Sequence, residues 1–268
     1  MSLAKFDVCL ILVAWQVHPE FPLVVAANRD EFFTRATAAA TFWPEYPDVL
    51  AGRDQEAGGT WLGVTRHGRF AALTNYRDGK PQKTAPSRGA LVADFLSSHA
   101  NPDDYLSSIQ PRAESHNGFN LLVGDTERLG YLSNRTPEGT PIRWLEPGIY
   151  GLSNHLLDTP WLKLLNAKSS FTGALDRLPD TSAMFDVLLD DELAPDHQLP
   201  ETGVSFSWEK SLSAIFVKTP DYGTRAGTVI TCHRSGNVTF TERAFGRNAE
   251  PLGEVCETFQ SSRISTDV

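Results

Sequence analysis

The sequence has few cysteines, no cluster of metal ligands and no long hydrophobic run. Its three cysteines, Cys9, Cys232 and Cys256, cannot form a closed set of disulfides, and no two of them have the spacing of metal ligands. The seven histidines contain no pair four residues apart, so we predict no zinc site. This cysteine content is typical of a reducing compartment and indicates a cytoplasmic protein.

Neither nucleic acid nor a membrane is an expected partner. The 33 acidic residues outnumber the 24 basic ones and leave a net charge of -9, and the basic residues form no run. A protein that binds a phosphate backbone needs a positive face, which this composition does not provide. The longest clean apolar run, residues 8–14, is too short to span a bilayer, so we predict no integral membrane segment.

The order of the predicted elements indicates one α+β domain. Strand patterns occupy the first third and the C-terminal part, whereas helical spacing lies mainly in the middle of the chain. Several strand segments are apolar throughout, which is typical of strands covered on both faces. We therefore predict two stacked, mainly antiparallel sheets with helices outside, formed by residues 9–260 and followed by a flexible tail at 261–268. The predicted helices begin near Ser87, Asn101, Thr159 and Ser182.

The first predicted hairpin brings Cys9 close to the segment Asn28-Arg29-Asp30-Glu31. Two apolar strands flank a turn centred between residues 18 and 19, which would place Cys9 opposite Asn28. Neighbouring strands lie about 4.8 Å apart, so Arg29 and Asp30 would lie beside the thiol. A guanidinium there favours the thiolate that a nucleophile needs, and Asp30 could hold the arginine or orient an amine. The simpler alternative is a core cysteine beside a structural Arg29–Asp30 ion pair.

A second predicted hairpin has its loop at His67-Gly68 and places Asn75 opposite Thr60. Gly58 and Gly59 precede Thr60, and the lack of side chains there would let a ligand or another backbone approach closely. An asparagine amide at a strand end can donate to an oxyanion, although such residues also satisfy turn backbone. Asn75 is therefore a candidate site residue with a structural alternative.

Seven segments, in this order along essentially the whole chain, resemble the NRDE family, the family of the Transport and Golgi organisation protein 2. They are Cys9-Leu10-Ile11, Ala26-Ala27-Asn28-Arg29-Asp30-Glu31, Gly58-Gly59-Thr60-Trp61-Leu62-Gly63, Leu73-Thr74-Asn75-Tyr76, Asn117-Gly118-Phe119-Asn120-Leu121, Tyr150-Gly151-Leu152-Ser153-Asn154 and Tyr222-Gly223-Thr224-Arg225. The resemblance implies an N-terminal-nucleophile (Ntn) hydrolase fold, a four-layered αββα sandwich. In that class the first residue of the mature chain attacks an amide carbonyl, and its own α-amine is the base.

The chain departs from the family pattern at its N-terminus. Family sequences usually begin Met-Cys, whereas eight residues precede Cys9 here. One hypothesis is that Val8 is encoded by a GTG start codon, so that the natural protein begins Met-Cys-Leu-Ile. The alternatives are autocatalytic removal of a propeptide, or a protein that has lost the chemistry. In the first two cases, residues 1–8 form an extension upstream of the working protein.

The chain is also similar to bile-salt and penicillin V amidases. This similarity implies a catalytic set of Cys9, Arg29, Asp30, Asn75, Asn154 and Arg225, matched by order and local sequence. The amidases separate their arginine and aspartate by two residues, whereas Arg29 and Asp30 are adjacent. Which of Asn28, Arg29 and Asp30 points into the site therefore stays open.

The resemblance predicts a hydrolase that uses Cys9 to cleave a non-peptide amide or a thioester without a metal or organic cofactor. The partner would be a small molecule in a cleft whose predicted ligand-binding residues are Asn28, Gly59, Thr60, Trp61 and Tyr76. The alternative belongs to another class of protein. The family is associated with secretory-pathway organisation, haem mobilisation and lipid handling, and the same cleft could carry haem, a lipid or acyl-coenzyme A without turnover.

Overall fold

A computed structural model describes residues 9–78, 84–137 and 139–262 of the protein. The predicted upstream extension, residues 1–8, and residues 263–268 of the predicted tail lie outside the described residues. At the start of that tail, the backbone N–H of Ser261 donates to the carbonyl of Gly236, and that of Ser262 donates to the carbonyl of Arg66. Residues 261 and 262 are therefore tied to the folded chain.

The described chain forms two antiparallel sheets. Its strands are β1 (Cys9–Trp15), β2 (Leu23–Phe32), β3 (Thr37–Trp43), β4 (Tyr46–Asp54), β5 (Leu62–Thr65), β6 (Phe70–Asn75), β7 (Phe119–Gly124), β8 (Leu129–Ser133), β9 (Arg143–Trp144), β10 (Gly148–Leu152), β11 (Tyr222–Cys232), β12 (Asn237–Phe245) and β13 (Pro251–Gln260). The first sheet has the order β10-β1-β2-β11-β12-β13, and the second sheet runs β3-β4-β5-β6-β7-β8-β9.

Helices cover the outer faces of both sheets. They are α1 (Gly89–Ser97), α2 (Pro102–Ile109), α3 (Leu162–Leu175), α4 (Ser182–Leu188) and α5 (Phe206–Ser211). Helices α3 and α4 pack on the first sheet, and α1 and α2 pack on the second. The predicted αββα sandwich is thereby confirmed. None of the helices in the described ranges is long and apolar enough to cross a membrane.

Strand β1 shows why the apolar runs have no alternation. Ile11 and Val13 point into the core between the sheets, whereas Leu10 and Leu12 point into the core beneath α3 and α4. Both faces of the strand are dry, so both sets of alternating positions are apolar. At about 25 cal/mol per Å² of buried apolar surface, such side chains each stabilise the fold by about 1.5–3 kcal/mol.

The predicted register of the first hairpin is wrong by one residue. Cys9 lies opposite Arg29, and Asn28 lies opposite Leu10. The connection spans residues 16–22 and is closed by a hydrogen bond of 2.7 Å from the Gln16 N–H to the Pro22 carbonyl. Its centre is therefore residue 19 and not the bond between residues 18 and 19. Because alternate residues of a strand point to opposite faces, this shift places Arg29, and not Asn28, on the same face as the Cys9 thiol.

The second hairpin is also displaced by one residue. Its loop has three residues, 66–68, closed by a 2.9 Å hydrogen bond from the Thr65 N–H to the Arg69 carbonyl. Gly68 has a φ of 76°, a left-handed conformation that suits glycine in such a loop. Strand β5 begins at Leu62, and the Thr60 N–H donates to the Gly89 carbonyl at 3.2 Å. The predicted pairing of Thr60 with Asn75 is therefore wrong.

Candidate active site

A cavity of about 930 Å³ opens between the sheets at the end where β1 begins and β6 ends. The last residues of β2 and the first residues of β11 reach the same end, because these neighbouring strands are antiparallel. Predicted site residues that line the cavity are Cys9, Arg29, Asp30, Thr60, Trp61, Asn75 and Arg225. The fold thus brings together residues that lie more than 200 positions apart in the sequence.

Cys9 is the first residue of β1 and is buried at the cavity wall. Its backbone N–H donates to Asn154 Oδ1 at 3.1 Å. Asn154 follows β10 with a left-handed φ of 60°, which asparagine tolerates better than most residues. Its Nδ2 donates to the Asn75 carbonyl at 2.9 Å, and its own carbonyl accepts the Arg77 N–H at 2.9 Å. One buried carboxamide therefore fixes the nitrogen of Cys9 against the end of the second sheet.

Arg29 is the side chain next to Cys9 across the β1–β2 ladder. Its guanidinium pairs with Glu31 at 3.6 Å and donates to Thr37 Oγ1 at 3.2 Å. Glu31 lies two residues further along the strand and on the same face, whereas adjacent Asp30 points to the other face. The expectation that Asp30 holds Arg29 is therefore wrong, and Glu31 takes that position.

Asp30 is buried beside Thr224, whose hydroxyl donates to Asp30 Oδ1 at 2.6 Å. Burial raises the pKa of Asp30, while the charge of Lys163, the Thr224 hydroxyl and the charges of Arg77 and Arg29 act in the opposite direction. A carboxyl with this environment exchanges a proton more readily near neutral pH than an exposed aspartate does.

Sequence reasoning missed two buried cations, Lys163 and Arg77, whose charges act on the pKa of Asp30. Lys163 on α3 is buried, and Arg77 after β6 forms a buried ion pair with Glu209 of α5, with a Nη1–Oε2 distance of 3.0 Å. A signal was present for Lys163, because it lies on the apolar stripe of α3 that includes Ala167 and Phe171. The pairing of Arg77 with Glu209 joins segments 132 residues apart and has no local signal.

Glu242 is another cavity-lining carboxyl that sequence reasoning missed. Its Oε1 accepts the Ala40 N–H at 2.8 Å and links β12 to β3 across the space between the sheets. Burial raises the pKa of Glu242. The available signal was its place on the buried face of β12 after Val238 and Phe240.

Four predicted residues do not line the cavity: Asn154 and Gly59, which act on it through their contacts, and Asn28 and Tyr76. Asn28 faces the helical layer, where its Nδ2 donates to the carbonyls of Leu188 at 2.7 Å and Ile215 at 3.0 Å. It fastens that layer to the sheet, so the prediction that it binds ligand is not supported by its position. Tyr76 lies outside the cavity lining, and its hydroxyl is 2.8 Å from His155 Nε2.

Arg225 lies at an irregularity of β11, between Thr224 and Ala226. Its Nη1 donates to the carbonyls of Phe32 at 3.0 Å and Arg35 at 3.1 Å. Arg225 therefore lies on the cavity wall, where backbone oxygens at and just after the end of β2 hold its guanidinium. The bulge re-aims the side chain, as extra residues in a ladder commonly do.

Gly59 permits a close approach of backbone, as predicted, but the partner belongs to the protein. A Cβ atom on Gly59 would lie 2.5 Å from the carbonyl carbon of Gly89 and 2.7 Å from its oxygen. Gly89 is the first residue of α1, and it lines the cavity together with Ser87 and Arg88. Gly59 therefore acts on the site through the position of α1 and does not itself line the cavity.

We expect Gly59→Ala to lower the free energy of unfolding by about 1–3 kcal/mol, because the new methyl group would overlap the backbone of α1. Gly173→Ala is the matched control. Gly173 lies inside α3, and apart from its chain neighbours and the backbone of its own helix, no atom of the described residues lies within 4 Å of a Cβ placed there. That change is expected to raise the free energy of unfolding by about 0.5–1 kcal/mol. Urea denaturation of the three proteins measures both effects, and equal stabilities for the two variants would refute the contact.

The fold resembles that of a solved Ntn-type amidase. The Caenorhabditis elegans N-acylethanolamine-hydrolyzing acid amidase ortholog superposes with a TM-score of 0.51 and 13% sequence identity. The match covers 67% of this chain and 85% of that chain. At this identity the likeness concerns the fold alone, which is that of the Ntn hydrolases.

Sequence comparison gives the family. The Transport and Golgi organisation 2 model matches residues 8–247. The Transport and Golgi organization protein 2 homolog of Bos taurus is 39% identical over 261 residues, which is 88% of this chain and 92% of that protein. The Homo sapiens homolog is 38% identical over 257 residues, with the same coverage. The predicted resemblance is confirmed, and the chain belongs to the Transport and Golgi organisation 2 family.

Proposed function

We propose that the protein is an N-terminal cysteine hydrolase of a non-peptide amide or a thioester, active once the α-amine of Cys9 is free. The observation that carries this proposal is the hydrogen bond between the Cys9 nitrogen and Asn154 Oδ1 at the wall of the cavity. In a chain that begins at Cys9, the same nitrogen would be the α-amine. Asn154 would then orient the base beside the thiol.

The reaction would proceed in two steps. The α-amine of Cys9 takes the thiol proton, and the sulfur attacks the substrate carbonyl carbon. The oxyanion is stabilised by the side-chain amide of Asn75, and the amine or thiol leaves with the proton from the α-amine. Water then attacks the resulting thioester, with the α-amine again as base, and releases the carboxylic acid and the Cys9 thiol.

The remaining predicted residues would support these steps from fixed positions. Arg29 lies opposite Cys9 and favours the thiolate by its charge. Arg225 lines the cavity and offers a cation to a polar group of the substrate. Asp30 also lines the cavity and would hold the protonated amine during the reaction. The chemistry needs no metal or organic cofactor, and a cytoplasmic location remains a prediction from the cysteine content.

The test compares the chain that begins at Cys9 with the full chain that begins at Met1, in which the Cys9 nitrogen is part of a peptide bond. Both are assayed against a panel of N-acyl amines and acyl thioesters, and intact mass is recorded after rapid quenching. We expect acid release and an acyl adduct on Cys9 only with the free α-amine. Equal activity of the two forms would argue against the α-amine as base.

A non-catalytic carrier is the second candidate, because a cavity of about 930 Å³ is large enough for a drug-sized ligand or larger. Trp61, Phe245 and Leu252 add apolar surface to its lining. Titration with haemin and with palmitoyl-coenzyme A would test it. Unchanged binding by Cys9→Ala, together with no adduct on Cys9 in the trimmed chain, would favour the carrier.

A further inference from the structure

Asn75 and Asn154 lie on two segments that meet beside the Cys9 nitrogen. Each asparagine is followed by a residue with a ring, Tyr76 in the first segment and His155 in the second. The Tyr76 hydroxyl lies 2.8 Å from His155 Nε2, and the centroids of the two rings are 4.8 Å apart. Neither ring lines the cavity, so the proposed chemistry does not account for this second contact between the two segments.

The hydrogen bonds around His155 determine which of its ring nitrogens carries the proton. The Thr159 hydroxyl donates to the Leu156 carbonyl at 2.8 Å, and its oxygen lies 2.8 Å from His155 Nδ1. A hydroxyl has one proton, so Thr159 satisfies both contacts only if Nδ1 is the donor. In a neutral ring Nε2 is then an acceptor, and the Tyr76 hydroxyl donates to it. Burial and the charge of Arg77 lower the pKa of His155, which favours this neutral form.

The surroundings of His155 hold both its ring and its backbone. The centroid of the imidazole is 5.5 Å from that of Trp161, and Asn120 Nδ2 donates to the His155 carbonyl at 2.9 Å. The preceding residue, Asn154, has the left-handed φ of 60°. Such a backbone conformation is unfavourable for residues other than glycine and persists only where neighbouring contacts hold it. The contacts of His155 act on the residue next to Asn154 and are therefore placed to do so.

We infer that His155 is a positioning residue, whose neutral imidazole accepts a hydrogen bond from the Tyr76 hydroxyl and so ties the segment after β10 to the segment after β6. This tie holds the Asn154 carboxamide against the Cys9 nitrogen and the Asn75 carbonyl. Its catalytic meaning rests on the proposed function, in which Asn154 orients the base. The tie itself is a property of the folded chain and is tested without substrate.

The first measurement is the protonation state of the His155 ring in the full chain at neutral pH, taken from long-range proton–nitrogen correlation spectra of protein with isotope-labelled histidine. We expect a protonated Nδ1 and an unprotonated Nε2, the opposite of the tautomer that free histidine prefers. The signals that disappear in His155→Gln provide the assignment. A ring protonated on Nε2, alone or together with Nδ1, would overturn the inference, because Tyr76 could then not donate to it.

The second measurement is hydrogen exchange at the Cys9 N–H, relative to exchange at the Leu12 N–H in the middle of β1. Tyr76→Phe removes only the hydroxyl that donates to the imidazole. Tyr105→Phe is the matched control, because its hydroxyl donates to the Leu91 carbonyl at 2.6 Å between α2 and α1. We expect the ratio of the two exchange rates to rise about tenfold in Tyr76→Phe and to stay within about twofold of the parent in Tyr105→Phe.

Substitutions of the imidazole test the tie from its other end. His155→Leu removes the acceptor and should raise the exchange ratio, whereas His155→Gln keeps an acceptor for Tyr76 and should restore most of the slow exchange at Cys9. If His155→Leu does not fold, Thr159→Val removes the acceptor of the Nδ1 proton and provides the comparison. An exchange ratio that none of these substitutions raises, or equal acceleration at Cys9 and Leu12, would overturn the inference. Neither measurement needs a substrate or a free α-amine, so failure of the proposed hydrolysis is distinguishable from failure of the tie.

Discussion

Cys9→Ala, made in the chain that begins at residue 9, is expected to lower the rate of substrate hydrolysis by at least about 10³-fold and to abolish the acyl adduct. The α-amine, the cavity and the Asn154 contact remain in this variant, so the loss would report the sulfur alone. Cys9 lies at the start of β1, where a methyl group fits in place of the thiol without disturbing the ladder with Arg29. The measurement is steady-state hydrolysis of the best substrate of the panel, with intact mass after quenching.

Cys232→Ala is the matched control for this loss. Cys232 is at the far end of β11, opposite Leu23, and burial raises the pKa of its thiol to about 12. It should be inert as a nucleophile, and its replacement should leave hydrolysis within about twofold of the parent. Retained turnover in Cys9→Ala would exclude covalent catalysis by this residue and leave the carrier as the better account of the cavity.

Arg77→Met is expected to give the largest loss of stability, about 3–5 kcal/mol in the free energy of unfolding. The change removes the partner of Glu209 at 3.0 Å and leaves a buried carboxylate. Thr202 still donates to Glu209 Oε1 from its N–H and its hydroxyl, but neither group carries a charge. Urea denaturation at neutral pH is the measurement.

An exposed pair and a double substitution complete this experiment. Arg243 and Glu254 are 2.7 Å apart on the surface, so Arg243→Met should cost no more than about 1 kcal/mol. Arg77→Met combined with Glu209→Gln removes both charges and should recover much of the loss. If Arg77→Met lowers the free energy of unfolding no more than Arg243→Met does, the buried ion pair stabilises the fold no more than the exposed one.

The layers of the fold were predictable because the sequences of β1 and β2 indicate that both faces of these strands are buried. Leu10 to Ala14 and Val24 to Ala27 are apolar at every position, which indicates a strand between two covered faces. The helical stripes that cover the sheets could also be located. Strands β3 and β4 were not predicted, since they are interrupted by irregular pairing and carry exposed polar residues.

The register could not be predicted from the sequence, and it decided the composition of the site. The amino acids of the loop at 16–22 do not determine which two residues form its closing hydrogen bond. A shift of one residue would place Asn28, instead of Arg29, on the same face as the thiol. Long-range charges pose a different difficulty. Arg77 and Glu209 are 132 residues apart in the sequence, and their ion pair depends on where α5 packs in the folded chain.

The place of β1 inside its sheet has a consequence for the cost of reaching a reactive arrangement. In the form proposed to be active, Cys9 is the end of the chain, and chain ends are usually the most disordered parts of a protein. Cys9 is instead held by the ladder with Arg29 on one side and by the Asn154 carboxamide on the other. The conformational entropy of Cys9 is therefore lost when the protein folds and not when substrate binds. A substrate carbonyl group that enters the cavity would meet a sulfur and a nitrogen that are already held in place.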